Sequence, residues 1–428
     1  MKLIQDSIAK NDYVARPHTT QSIEKLKEAI SAGKHKLIDV SAIHCLIQYP
    51  DWHTDLNLFR FVKPKALKQL KNDPKCFFLF DTSTEGFSTI HDVPYFDVLY
   101  YSCEQAGVDP EKVIFFSSNM YDETNIVRFN MEHNKQKSIK VVTFNNFESM
   151  LFGIAGAQSI GNSVQQQIDG ETCDQYVERR MKQEKQEVAQ RYKGKIFLSL
   201  SRVNRPHRTL SAYEIFHSDL FYHGLVSHDL FKKKTLKHWH SYQMPTGCNI
   251  SGSDIKKWQK NVLPLTIDTD DFITNHAMNL SSYLHQQTLF QIVNETFAEN
   301  WQGTSLFWSE KTFRSIYHLQ PFLIFGQRHA NLKLQDYGYK IFDNNFDYSF
   351  DEEHDTYKRW SKLRVEVEKH VNRISALPIT HQIDWRWRQA DLLAHNLKTM
   401  VDENHTKSQM TGLVKYMVEK INEQETNT

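Results

Sequence analysis

Cysteine is sparse in this 428-residue chain. The five residues Cys45, Cys76, Cys103, Cys173 and Cys248 stand at wide intervals, with no CxxC among them. The count is odd and the spacing irregular, which argues against a disulfide framework or a zinc site and leaves buried, reduced thiols as the expectation. Long apolar runs are missing too. No stretch approaches the ~18–20 uninterrupted apolar residues of a spanning helix. The opening segment MKLIQDSIAKNDYVARPH lacks the apolar block of a signal peptide. Neither charge sign dominates: Lys plus Arg total 52 and Asp plus Glu 51, for a formal net charge of +1. Such a balance gives no overall support for a nucleic-acid partner. The histidines are numerous, but HExxH is absent and no metal-ligand spacing recurs. A soluble, cytoplasmic protein without a transmembrane segment is expected, meeting any membrane-bound partner from the water side.

What is present is aromatic and apolar: 27 Phe, 18 Tyr and a 40% hydrophobic composition argue for packed structure. The length suits two or three domains. Residues 77–80 (FFLF), 112–116 (KVIFF) and 139–144 (IKVVTF) read as strands. Helical patterns over 94–105 and 121–133 lie between them, the first closed by Gly107 and Pro110. Strands alternating with helices predict parallel βαβ units. Residues 174–193 are highly charged and read as a helix bridging two domains. A second series opens with 195–200 (KIFLSL) and a helix starting at Pro206, its buried face carrying Leu210, Tyr213, Phe216 and Leu220. A helix over 311–320 precedes the strand 321–325 (PFLIF) and a turn at Gly326. Near the end, 384–401 reads as one helix, and Met410, Leu413, Val414, Met417 and Ile421 form an apolar stripe at helical spacing. The expected division is an N-terminal α/β domain over 1–175, a helical linker over 176–194, a second α/β domain over 195–375, and C-terminal helices over 376–428.

Two segments carry candidate chemistry. The first is SRVNRPHR, 201–208, between a buried strand and a helix start. Ligands in open α/β sheets collect at the carboxyl ends of strands, and a helix N-terminus favours an anion. Arg202, Arg205 and Arg208 add guanidinium forks suited to phosphate oxygens. The second is FWSEKTFRSIYHLQPFLIFG, 307–326, where Ser309 suits a helix cap with Glu310 and Lys311 in the first turn. There Glu310 is placed to accept hydrogen bonds from ribose hydroxyls, and Lys311 and Arg314 to meet phosphate charge. Taken singly, each segment reads better as common structure: a basic surface turn and an amphipathic helix with a charge pair at its tip.

Their order resembles the sugar-nucleotide-binding domain of the α-1,3-fucosyltransferase-like families. Those enzymes open that domain with a strand, a polar loop and an Arg at a helix start. An F-E-N-S-like segment follows, then T-E-K or S-E-K, an amphipathic helix and a Pro-to-Gly strand. Here the corresponding pieces are KIFLSLSRVNRPHR at 195–208, FQIVNETF at 290–297, SEK at 309–311 and PFLIFG at 321–326. The resemblance covers roughly residues 195–345 and implies a GT-B-like fold, two Rossmann-like domains facing a cleft, with the first taking the acceptor. It further implies that Arg208 contacts a diphosphate, that Glu310 holds ribose, that Lys311 neutralises the leaving phosphate, and that Asn294 and Glu295 belong to the donor site.

The implied reaction is transfer of a sugar from a nucleotide-diphosphate donor to an acceptor hydroxyl, inverting and without a required cofactor or metal. Charge at the leaving group is met by Arg, Lys and helix termini. An inverting route needs a general base. Glu85, in the loop after 77–80, is the first candidate and Asp81 the second. The acceptor stays open among a glycan, a lipid-linked saccharide, a protein and a modified DNA base. Two alternatives stand beside this reading. One is a non-catalytic sugar-nucleotide or glycan-binding module. The other is a transferase whose Asp268 and Asp270, a DxD pair within 268–271, hold Mg or Mn on the diphosphate. The basic run 231–240 and the pair Trp385 and Trp387 are expected to be a solvated loop and helix anchors.

Overall fold

The computed structural model describes residues 1–4, 14–15, 21–32, 40–47, 56–83, 94–145, 147–148, 170–187, 194–201, 205–228, 245, 247–265, 267, 283–299 and 304–426. The chain is mixed α/β with two separate parallel sheets. It divides into two compact units. One is Met1–Asn146 with Trp301–Phe307 and Glu403–Thr428; the other is Phe147–Asn300 with Trp308–Asp402. No helix among the described residues is long and apolar enough to cross a membrane.

In the first unit, strands β1 (Lys2–Leu3), β3 (Ser41–Ile47), β4 (Cys76–Thr82), β5 (Val113–Ser117) and β6 (Lys140–Thr143) lie side by side in that order, all parallel. β2 (Val14–Ala15) pairs antiparallel with the end of β3. The apolar runs that read as strands are buried along their whole length, as a sheet covered on both faces requires. Side chains alternate between the faces. Phe78, Phe80, Val113 and Phe115 pack with residues of α2 (Pro64–Asn72), α3 (Tyr95–Ala106) and α4 (Asp122–Glu132). Phe77, Leu79, Ile114 and Phe116 pack on α1 (Gln21–Ala32) and on the Asn404–Thr426 helix. That helix buries the whole predicted stripe, Met410, Leu413, Val414, Met417 and Ile421. α2 starts with Pro64 at its first position, where the missing N–H costs nothing. The Lys112 ammonium closes its other end, donating to the carbonyls of Leu70, Lys71 and Asp73 at 2.8, 3.3 and 3.0 Å.

The second unit holds β7 (Phe197–Ser201), β8 (Gly224–His228), β9 (Phe290–Asn294) and β10 (Phe322–Phe325), parallel in the order β10-β9-β7-β8. Phe197 faces Gly224 across the β7–β8 pair, and a Cβ at Gly224 would fall 2.3 Å from the Phe197 ring. Its helices are α5 (Cys173–Glu187), α6 (Pro206–Phe216), α7 (Leu220–His223), α8 (Gly252–Val262), α9 (Tyr283–Gln286), α10 (Glu310–Tyr317), α11 (Thr356–Ser375), α12 (Ile379–Trp387) and α13 (Ala390–Asp402). The charged helix expected as a bridge, α5, packs on α12 and α13 inside this unit. There Glu184 pairs with Arg180 at 3.0 Å and Arg386 at 3.3 Å. The face expected of α6 shifts: Leu210, Ala212 and Ile215 are buried, while Tyr213 and Phe216 are half-buried against Trp258. Leu220 is buried in the next helix, α7.

The single helix expected over 384–401 is instead two, α12 and α13. Trp385, Arg386 and Trp387 are all buried. Residues one and two apart do not share a helix face, so burying all three suits a helix that ends there. All five cysteines are free, Cys45, Cys76 and Cys103 being buried and Cys173 and Cys248 partly so.

Candidate functional site

The order of the second sheet sets where its loops go. From β7 the chain moves to β8 on one side; from β9 it moves to β10 on the other. The direction therefore reverses between β7 and β9, which are hydrogen-bonded neighbours. In open parallel sheets such a reversal leaves a crevice outside the carboxyl ends of the two strands, where ligands bind. β7 ends at Ser201 and leads to α6, which starts at Pro206 with no side-chain cap. β9 ends at Asn294, and the chain returns to α10, capped as expected by the Ser309 hydroxyl. Both helix starts belong to this edge of the sheet.

The two candidate segments meet at Glu295. Its carbonyl accepts from Arg208 Nε at 3.0 Å and Nη2 at 2.8 Å, with His207 Nε2 at 2.9 Å from the same oxygen. Arg205 Nη1 donates to the next carbonyl, Thr296, at 2.6 Å, and its guanidinium lies 4.9 Å from the centre of the Phe297 ring. The Glu295 carboxylate accepts from the Ser309 N–H at 3.0 Å, Ser309 Oγ at 2.6 Å, Thr312 Oγ1 at 2.6 Å and the Thr296 N–H at 2.8 Å. Glu295 has no exposed surface. Asn294 is spent inside the sheet, donating to Ser199 Oγ at 2.9 Å and accepting from Ser211 Oγ at 3.0 Å.

Beside this hub, Lys311 Nζ lies 2.7 Å from Glu310 Oε1 and 3.1 Å from Ser309 Oγ. These two side chains keep 25% and 14% of their surface open to solvent, so unlike Glu295 they can be reached by a ligand. Burial pushes the Glu310 carboxyl up, but Lys311, its own backbone N–H and Arg208 outweigh it and hold the group below its ordinary value. Burial, and then Arg205, push Arg208 down to about 9, which leaves it protonated at neutral pH. Burial and Arg208 together keep His207 well below its ordinary value and His228, at the end of β8, at about 3. The edge thus carries fixed positive charge, two carboxylates and neutral imidazoles. Such a set can hold an anion with hydroxyl groups attached. Arg314 lies one turn along α10, and its charge lowers the pKa of His285 and His318.

Asp81 belongs to the first unit. It stands one residue before the end of β4, fully buried, accepting from Ser22 Oγ at 2.5 Å, the Ser83 N–H at 2.9 Å and Ser83 Oγ at 2.7 Å, with His44 Nε2 at 3.3 Å. Burial raises its pKa, but His44 and the two serines outweigh burial and hold it at about 2. The geometry is that of a carboxylate tying β4 to β3 and α1. Glu85, Arg202, Asp268 and Asp270 lie outside the described residues. Among the described residues no three of His, Cys, Asp and Glu gather as metal ligands.

Sequence reasoning missed His207, Thr312, Ser199 and Ser211. The local signal was polar Asn294 and Glu295 at the end of an apolar strand; apart from the adjoining Thr296 N–H, their side-chain partners lie 14 to 95 residues away.

No protein-family description matches the chain, and no curated protein matches it. A solved structure described as the N-terminal domain of Candida albicans trehalose-6-phosphate phosphatase is similar over 92% of this chain and 72% of its own, at 13% identity and a TM-score of 0.39. A likeness that weak says nothing about the reaction.

Proposed function

We propose that the chain is a glycosyltransferase that takes a sugar from a nucleotide-diphosphate donor, with the donor seated at the carboxyl edge of β7 and β9. One observation carries the reading. The segments singled out for donor binding, 201–208 and 307–326, are joined through one buried residue, Glu295, which bonds to Arg208 of the first and Ser309 of the second at the point where the sheet order reverses. Lys311 and the basic start of α6 supply positive charge for a departing diphosphate, the largest electrostatic need of such a displacement. Glu310, ionised and partly open, suits the hydroxyl groups of a ribose. The acceptor oxygen bonds to the anomeric carbon as the bond to the diphosphate oxygen breaks. The hydroxyl proton passes to a base, and the diphosphate leaves with its electron pair. Glu85 is the base this reading prefers, because Asp81 is buried and too acidic for the task. The wider proposal is a GT-B-like, fucosyltransferase-like enzyme of two Rossmann-like domains, cytoplasmic and metal-independent.

The test is a thermal-shift series with GDP, UDP and their sugars. A ligand that binds only the folded state raises its melting temperature with occupancy. One nucleoside diphosphate is expected to stand out, and Lys311→Ala to weaken it ~10-fold or more, since a charge-assisted contact contributes about 1.5–3 kcal/mol. Release of diphosphate from the matching sugar nucleotide separates an enzyme from a pure binder. If no nucleoside diphosphate shifts the melting temperature at millimolar concentration, the reading fails.

A further inference from the structure

The amino end of α10 has the makings of an anion site, with free N–H groups, a capping hydroxyl and positive dipole charge. It is already filled from within. The Glu295 carboxylate takes the Ser309 N–H and hydroxyl and the Thr312 hydroxyl, each at 3.0 Å or less. The carbonyl of the same residue takes the Arg208 guanidinium, with His207 beside it, from the first turn of α6. One fully buried residue therefore fixes the start of both helices, and through Ser309 the position from which Glu310 and Lys311 project.

We infer that Glu295 is the positioning residue of the donor site: it touches no donor atom and acts through Lys311, Glu310 and Arg208, as a resident anion at the head of α10. This rests on the donor-site reading above. It departs from the sequence expectation, which put Glu295 in contact with the donor. It also explains why so polar a group sits where no solvent reaches. Without the carboxylate, three donors at the head of α10 lose their acceptor and the first turn loses its register on β9.

The experiment combines chemical rescue with a conservative pair. In Glu295→Ala, UDP and GDP affinity should fall ~10-fold or more, and about 100 mM acetate should restore most of it by supplying a carboxylate to the vacated helix head. Acetate should do nothing for wild type or for Lys311→Ala. Thr312, fully buried, gives the second handle. Thr312→Val should weaken nucleotide binding several-fold, whereas Thr312→Ser, which keeps the hydroxyl, should stay near wild type. A purely structural role would lower the melting temperature of Glu295→Ala or Thr312→Val and leave nucleotide affinity unchanged; that outcome overturns the inference. If Glu295→Ala does not fold, the Thr312 pair decides alone. If wild type binds neither nucleotide, the donor-site reading has failed. In that case the inference falls with it, and a melting temperature of Glu295→Ala raised by acetate would show only that Glu295 anchors the head of α10.

Discussion

The two sheets are built from the same parts but are ordered differently. In the first unit the parallel strands follow chain order, β1-β3-β4-β5-β6, so every step moves the same way. In the second, β7 steps one way and β9 the other. Each unit buries a carboxylate near the end of a strand, Asp81 in the first and Glu295 in the second. Asp81 is held by its own strand ladder and α1, with Ser22, His44 and Ser83 as its partners. Glu295 is held by the starts of two helices that leave on either side of the reversal. A buried carboxylate is thus not in itself a functional signal. What sets Glu295 apart is that the groups it fixes include two, Glu310 and Lys311, that solvent can reach.

Acid should separate the units most sharply. His207, His228, His285 and His318 of the second unit are buried, and burial holds all four well below their ordinary value. They stay neutral in the fold but gain protons in the unfolded chain once pH drops below about 6.5. The unfolded state then binds more protons, so stability falls with falling pH by ~1.4 kcal/mol per pH unit for each group. Asp351 in the same unit opposes this. Burial pushes it up to about 6, so between about 6 and 4 the folded state binds the extra proton and gains stability. Four groups outweigh one, and a net loss of roughly 5 kcal/mol or more is expected at pH 5 relative to pH 7. In the first unit the low pKa of Asp81 contributes stability that is present above about 4 and lost only as pH falls toward 2; His405, lowered by burial, adds one smaller term of the acid-sensitive kind. Six of the eight tryptophans, the buried Trp258, Trp308, Trp360, Trp385 and Trp387 among them, belong to the second unit, against Trp52 and Trp301 in the first, so fluorescence is weighted toward the second. Tryptophan fluorescence should therefore change at a higher pH than far-ultraviolet circular dichroism. Coincident transitions by both probes would break the comparison.

A smaller effect distinguishes the two carboxylates directly. Asp81→Ala strips the acceptor from Ser22, from the Ser83 N–H and hydroxyl, and from His44, all buried. Breaking a buried charged network from one side costs ~3–5 kcal/mol. Urea titration should show that loss, with UDP or GDP affinity left at its wild-type value. A large loss of nucleotide affinity would mean that Asp81 belongs to the donor site after all.

How much of this could be read from the chain depends on whether the information was local. The runs FFLF, VIFF and FLIF announced buried strands, and Met410 to Ile421 announced a helix face, because periodicity and apolarity are properties of neighbouring residues. Ser309 as a cap was legible for the same reason. The single helix read over 384–401 was not correct. α12 ends at Trp387, and Trp385 and Trp387, two positions apart on it, are both buried, which depends on surroundings that the local sequence does not carry. At the site, Arg208, Glu310 and Lys311 were marked by charge at helix starts. That Arg208 turns inward to a carbonyl 87 residues away had no local sign. The same holds for Asp81 and its partner Ser22, 59 residues apart.

The smallest effect concerns how a helix of each unit ends. α3 and α10 close with the same pattern. Val108 N–H bonds to Cys103 O at 2.9 Å, and Gln320 N–H to Ser315 O at 3.0 Å; Gly107 N–H bonds to Glu104 O at 3.2 Å, and Leu319 N–H to Ile316 O at 3.1 Å. The residue in the left-handed conformation is Gly107 in the first (φ 63°) and Leu319 in the second (φ 52°). Glycine takes that conformation freely; a residue with a Cβ pays ~1–2 kcal/mol for it. Gly107→Ala should therefore cost about 1 kcal/mol, with its Cβ otherwise in ordinary contact with the end of the Lys71 side chain at 3.6 Å. The reciprocal change does not follow by symmetry. Leu319 is fully buried, and losing a leucine side chain from a core removes ~1.5–3 kcal/mol of transfer energy even before any cavity is counted. Leu319→Gly should thus be destabilising despite relieving the backbone. A melting temperature for Leu319→Gly above wild type would show that the strain, and not the burial, dominates at the end of α10.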